Sequence, residues 1–294
     1  VTAYRRRAAQ RLADRAGVAV PPEQLPALEA RVARRSRAAA VGMVLAGVAL
    51  AVLDRVVGQE QLVQVGAGWV AMALLFGFAV AALAVVEIWR PGTVPDDGAR
   101  TARAVAPRLG DYLPRLVVVL TWVFTAVGVL ALALTWGLGG SRWFDAATVR
   151  TGAVPALLVA LPVLAGLTVL AVRRVLDAPQ PARDETELFW QDAVRANTLS
   201  ALHVPLAVVG LFATALSART LDAAASTVAE ATGQLAPVWT TALMVGGYAL
   251  PLVLLAVALV LTLGPWGGTE VAHVRQRLWG GRTPGQGHPA TVAS

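Results

Sequence analysis

Uncharged apolar residues run almost unbroken near 38–53, 63–86, 116–136, 151–172, 199–217 and 236–264. Most of these runs reach the roughly 20 residues that an α-helix needs to cross about 30 Å of hydrocarbon. The pattern predicts an all-α fold: a polytopic helical bundle with six transmembrane helices and both termini on one side. The first run is short and stops at Asp54 and Arg55, so it becomes a full span, 38–57, only with the help of Val56 and Val57. A cleaved signal peptide is the competing reading of this run, because Val48, Ala49, Leu50 and Ala51 include small residues at suitable spacing. The 37-residue leader is too long for an ordinary n-region, which favours a retained span. The chain then divides into a basic helical region at 1–37, a six-span domain at 38–264 and a tail at 265–294.

The arginines give these spans a direction. Nine precede the first span, five join spans 2 and 3, four join spans 4 and 5, and three lie in the tail. Only Arg55, Arg142, Arg150 and Arg219 fall on the opposite side. The positive-inside rule therefore predicts cytoplasmic termini in a bacterial plasma membrane. Trp89 and Trp266 fall at the expected inner ends, and Trp136, Trp143 and Trp239 at the outer ones, where indole rings favour the headgroup region.

Composition agrees: 56% of the 294 residues are hydrophobic, 15% are charged, and the mean hydropathy is +0.62. Every basic residue is arginine, with one isoleucine and one asparagine in the chain, a bias expected of a GC-rich bacterial genome. The net charge of +7 gathers beside apolar spans rather than on a polar domain, which argues against a nucleic-acid partner. The absence of cysteine excludes disulfides, thiolate metal sites and cysteine nucleophiles.

Two predicted cytoplasmic segments carry candidate contacts. The leader reads as two basic helices at the inner leaflet, the second over 23–37, with Arg5, Arg6, Arg7, Arg34, Arg35 and Arg37 placed to meet anionic lipid. Farther on, Asp184 followed three residues later by Glu187 signals a helix start. The helix over 184–198 reads as amphipathic, with Asp192 and Arg195 able to pair on its exposed side. It is either an interfacial helix leading into span 5 or a docking face for a protein partner, formed by Phe189, Trp190, Asp192 and Arg195. Here the acidic run followed by Trp190, Gln191, Asp192, Ala193, Arg195 and Ala196 resembles uncharacterised multi-pass membrane proteins of high-GC Gram-positive bacteria. That resemblance implies a membrane fold and assigns no residue a role.

Catalytic chemistry finds little support. A P-loop and a Schiff base both need lysine, and His203, His273 and His288 are not at metal-ligand spacing, so no catalytic, cofactor or metal site is predicted. Gly139, Gly140 and Ser141 lack the pattern of a nucleophile elbow and read as a turn. His203 alone is an ionisable group inside a predicted span, at a depth suited to a neighbouring helix or to headgroups. Pro155, Pro162, Pro205 and Pro251 predict kinks, and Thr121, Thr125, Thr240 and Thr241 predict weak interhelical hydrogen bonds. Small residues such as Ala38 with Gly42, or Gly47 with Ala51, would allow close helix approach. The expectation is a non-enzymatic integral membrane protein, an accessory or scaffold subunit with a membrane or cytoplasmic partner. The alternative is a transporter, the permease-like subunit of an exporter driven by a separate ATPase.

Overall fold

The computed structural model describes residues 18, 20, 22–23, 25–57, 67–89, 107–180, 182, 184–233, 237–263 and 270–284. The predicted first helix of the leader, with Arg5, Arg6 and Arg7, lies outside them, as do Trp266 and His288. The elements among the described residues are helices: α1 (Leu25–Val57), α2 (Ala67–Trp89), α3 (Leu109–Tyr112), α4 (Arg115–Leu138), α5 (Ala146–Thr151), α6 (Val154–Asp177), α7 (Glu185–Thr232), α8 (Val238–Leu263) and α9 (Glu270–Trp279). Six of them, α1, α2, α4, α6, α7 and α8, are long and apolar enough to cross a membrane.

Two helices are longer than the apolar pattern suggests. The basic stretch before the first run is continuous with it, so α1 is one helix of 33 residues. The 184–198 segment, span 5 and the polar stretch beyond it likewise form a single helix of 48 residues, about 72 Å at 1.5 Å per residue. Its start is capped as expected, with the Asp184 carboxylate accepting from the Glu187 amide at 2.7 Å. Its end is Gly233, whose φ of 67° is the left-handed conformation that closes a helix and whose amide reaches the Ala229 carbonyl at 2.8 Å.

α7 is also the centre of the bundle: 56% of its most apolar window is buried, against 11% for α8. A core of Leu132, Val154, Leu157, Leu161, Leu206, Val209, Ala213 and Leu216 joins α4, α6 and α7. Where α4 crosses α7 their backbones touch, and a Cβ added to Gly210 would lie 2.4 Å from the Phe124 carbonyl oxygen. α1 packs along α2 through Ala38, Gly42 and Ala46, each one turn from the next, so the Ala38 and Gly42 pair serves as the spacing predicts. Gly47 and Ala51 face outward instead. The outer surfaces of α1 and α8 carry exposed Val41, Val44, Val48, Val245, Leu252 and Val253, as expected of faces solvated by lipid tails.

Pro155 falls in the first turn of α6, where its missing N–H costs nothing. Pro162, Pro205 and Pro251 sit inside α6, α7 and α8, and each helix continues through its proline. The hydroxyls along the spans turn mostly to their own helices. Thr121, Thr125, Thr168, Thr214 and Ser217 each donate to the carbonyl four residues earlier, at 2.8–3.0 Å. Thr240 caps locally on the Pro237 carbonyl at 2.6 Å. Among the described residues, the expected bridging between helices is reduced to a 3.5 Å approach of Thr121 Oγ1 to the His203 carbonyl.

Candidate functional site

At one end of the bundle the start of α1, the end of α2, α3, the end of α6, the start of α7 and all of α9 converge. Their polar side chains form two connected groups around α7, the arginine end of the molecule. The first group is centred on Glu87 in the last turn of α2, a carboxylate whose side chain is only 3% exposed. Arg31 and Arg35 lie one turn apart on α1, and both reach it. Arg35 Nε donates to Glu87 Oε1 at 3.1 Å, and Arg31 Nη2 lies 3.7 Å from Oε2. The same arginines extend to α7, Arg35 Nη1 donating to Asn197 Oδ1 at 2.8 Å and Arg31 Nη2 to Thr198 Oγ1 at 3.4 Å. Asn197 passes the chain of bonds on, its Nδ2 donating to Glu270 Oε1 of α9 at 3.4 Å.

The second group surrounds Asp192, which is fully buried. Its Oδ1 accepts from the Tyr112 hydroxyl at 3.2 Å and from Gln180 Nε2 at 3.1 Å, and its Oδ2 accepts from Trp279 Nε1 at 3.1 Å. Arg195 Nη1 donates to the Tyr112 hydroxyl at 3.3 Å, Nη2 donates to the Ala178 carbonyl, and the guanidinium carbon stands 5.7 Å from the tyrosine ring centroid. Burial, and after it the nearby Asp192 carboxylate, push the Tyr112 hydroxyl up to about 12. The phenol therefore stays protonated and acts as a neutral relay between carboxylate and guanidinium.

Apolar contacts seal both groups. Leu28 of α1 packs with Phe189, Trp190, Ala193 and Val194 of α7 and Val271 of α9. The Phe189 ring makes edge contacts with Trp190 and Trp279, at centroid separations of 6.0 and 5.5 Å. α9 is further held to α3 by His273 Nε2, 3.0 Å from the Gly110 carbonyl, and by Arg277 near Asp111 at 3.8 Å.

This arrangement corrects two of the sequence expectations. Phe189, Trp190, Asp192 and Arg195 do not form an outward docking face; all four are buried within the chain. The amphipathic reading placed Asp192 and Arg195 on the exposed side, but each finds partners more than 80 residues or a helix away, which offsets the cost of leaving water. Arg35, expected among the lipid contacts, turns two of its guanidinium nitrogens inward, Nε to Glu87 and Nη1 to Asn197. Arg34 is partly buried and Arg37 exposed, both in the same turns of α1.

His203 stands apart from these groups. It is buried on α7, and its Nδ1 lies 2.8 Å from the Leu199 carbonyl. A carbonyl only accepts, so Nδ1 carries the proton in this bond. Sequence reasoning missed Glu87 as the centre of an ion pair, Tyr112 as a relay and α9 as a docked helix. The signal for α9 was present in Val271, Val274 and Leu278 at helical spacing. Nothing local marked Tyr112. Compared with protein-family models, curated proteins and solved structures, the chain matches none.

Proposed function

We propose that this integral membrane protein is a non-enzymatic accessory or scaffold subunit of a larger membrane assembly, seated in a bacterial plasma membrane with both termini in the cytoplasm. The observation that carries this reading is where the polar groups go. Arg31, Arg35, Glu87, Asp192 and Arg195 gather at one end and bond to structural partners, while the hydroxyls through the middle bond to their own helices. An ion-coupled carrier uses intramembrane ionisable groups along its path. Here the same residue types tie helices together. The orientation follows from the arginine count, since the segments richest in arginine lead into or out of this end.

With Phe189 and Trp190 internal, the partner surface at this end falls to groups that stay exposed, such as Arg37, Trp89 and Glu185. Mild-detergent affinity purification from the native membrane, with mass spectrometry of what remains bound, tests the reading. A membrane or regulatory protein recovered in stoichiometric amount, and released by Trp89→Ala with Glu185→Arg, is the expected result. Stoichiometric recovery of an ATPase would replace the scaffold with a permease subunit, and recovery of the chain alone would overturn the accessory role.

A further inference from the structure

The donors and acceptors at the arginine end do not balance. Arg31 Nε and Arg35 Nη2 are both buried and meet no acceptor among the described residues, although other nitrogens of the same two guanidinium groups are bonded to Glu87, Asn197 and Thr198. A third orphan donor, Trp190 Nε1, lies on the same side of α7 as Asn197 and belongs to the apolar cluster that contains Leu28, one turn before Arg31. All three orphans are N–H groups. A buried donor without a partner is costly, and more so when it is charged. Two guanidinium groups also share the single Glu87 carboxylate at close range, so the immediate neighbourhood carries surplus positive charge. What this seam lacks is an anionic group that only accepts hydrogen bonds.

We propose that the seam between α1 and α7 at Arg31 and Arg35 binds a phosphate group. Guanidinium nitrogens recognise phosphate oxygens through charge-assisted hydrogen bonds with defined geometry. The site stands immediately before the apolar run of α1 begins at residue 38, the depth at which phospholipid phosphates lie. The side chains of Arg31 and Arg35 keep 21% and 15% of their surface exposed, so the seam is reachable from outside. An anionic phospholipid headgroup and free phosphate offer the same oxygens. The site does not depend on the scaffold reading.

The test is thermal unfolding of the delipidated full chain in mild detergent, followed by tryptophan fluorescence at constant ionic strength. The probes are phosphatidylglycerol, phosphatidylcholine and inorganic phosphate. A ligand bound by the folded state alone raises the midpoint saturably. A saturable rise with phosphatidylglycerol, with phosphate or with both is expected, and none with phosphatidylcholine. A rise with phosphatidylglycerol alone identifies the lipid as source, and a rise with phosphate alone identifies the free anion. Arg31→Gln is expected to weaken half-saturation about tenfold or more, whereas Arg37→Gln, at an exposed arginine of the same helix, should change it less than about twofold. If the glutamine variant does not fold, Arg31→Lys keeps the positive charge beside Glu87 and removes the Nε donor, and the same loss is expected. Absence of a saturable rise with either phosphate source overturns the site. So does unchanged binding in the Arg31 variants, or an equal loss in Arg37→Gln, which would signal diffuse surface charge.

Discussion

The two ends of the bundle are held by different kinds of bond. At the arginine end, polar partners lie far apart in sequence: 52 residues for Arg35 and Glu87, 162 for Arg35 and Asn197, 80 for Tyr112 and Asp192, and 87 for Trp279 and Asp192. At the opposite end the polar bonds are mostly short-range, although the Arg219 side chain also bonds to Tyr248 of α8. Asp145 caps α5 by accepting from the amide and hydroxyl of Thr148, both at 2.7 Å. Arg219 pairs with Asp222 three residues away, and Ser226, Thr227 and Thr232 bond four residues back. Contact between elements there is largely apolar, through Phe144, Val149, Leu221, Ala224 and Ala225, with one backbone bond from the Asp145 amide to the Ala224 carbonyl at 3.1 Å. One end is tied by buried charge across the chain; the other is a set of locally finished helices resting on one another.

That contrast ranks the effects of substitution. Glu87→Ala should be the most damaging, leaving Arg31 and Arg35 as buried cations without their carboxylate, at about 3–5 kcal/mol in SDS-titrated unfolding. A loss below about 1 kcal/mol would mean that solvent already serves the two arginines and that the ends do not differ as described. Asp192→Ala orphans donors on Tyr112, Gln180 and Trp279 and is expected to cost about 3 kcal/mol. It should also free α9, giving faster amide exchange over 270–279 with little change over 146–151. Asp145→Ala, at the locally bonded end, should cost about 1 kcal/mol as a lost N-cap.

The Asp145 contribution has a pH signature. The Thr148 hydroxyl, then its amide, hold this carboxyl below its ordinary value. Its contribution is therefore complete above the unfolded-state value near 4 and is lost as pH falls through the lower folded-state value. A wild-type minus Asp145→Ala stability difference that stayed flat through that acid range would contradict the cap. The gentlest probe is tyrosine titration by phenolate absorbance. Tyr112 has its proton held to about pH 12, so whatever stability this shift represents is present below pH 10 and lost as pH climbs through 12. Tyr112→Phe should remove a phenol that titrates near pH 12 while leaving α9 docked through Asp192 and Trp279.

The same contrast explains what was legible in the sequence. The six spans, the Asp184 cap and the turn at 139–141 rest on periodicity, local chemistry or composition, and such signals act within a few residues. The arginine end depends on pairs that no window contains. Asp192 and Arg195 read as a solvated helix face because charge is ordinarily exposed. They are buried because Tyr112, Gln180, Ala178 and Trp279 arrive from three other parts of the chain. Glu87, one residue past the apolar run at 63–86, gave no sign of its partners for the same reason. The length of α7 was obscured differently: hydropathy marks where a helix is apolar, not where it stops, and its polar extensions continue the helix without a break from Glu185 to Thr232.

The placement of Trp279 on Asp192 has a consequence in time. Synthesis runs from the N-terminus, so Arg31 and Arg35 can meet Glu87 as soon as the first two helices are inserted. Asp192 must wait for its last donor until residue 279 has left the ribosome. During that interval a carboxylate destined for full burial stays open to water at one end of the longest helix. The nascent bundle is thus born with α7 only partly enclosed at this end, until α9 supplies the Trp279 donor.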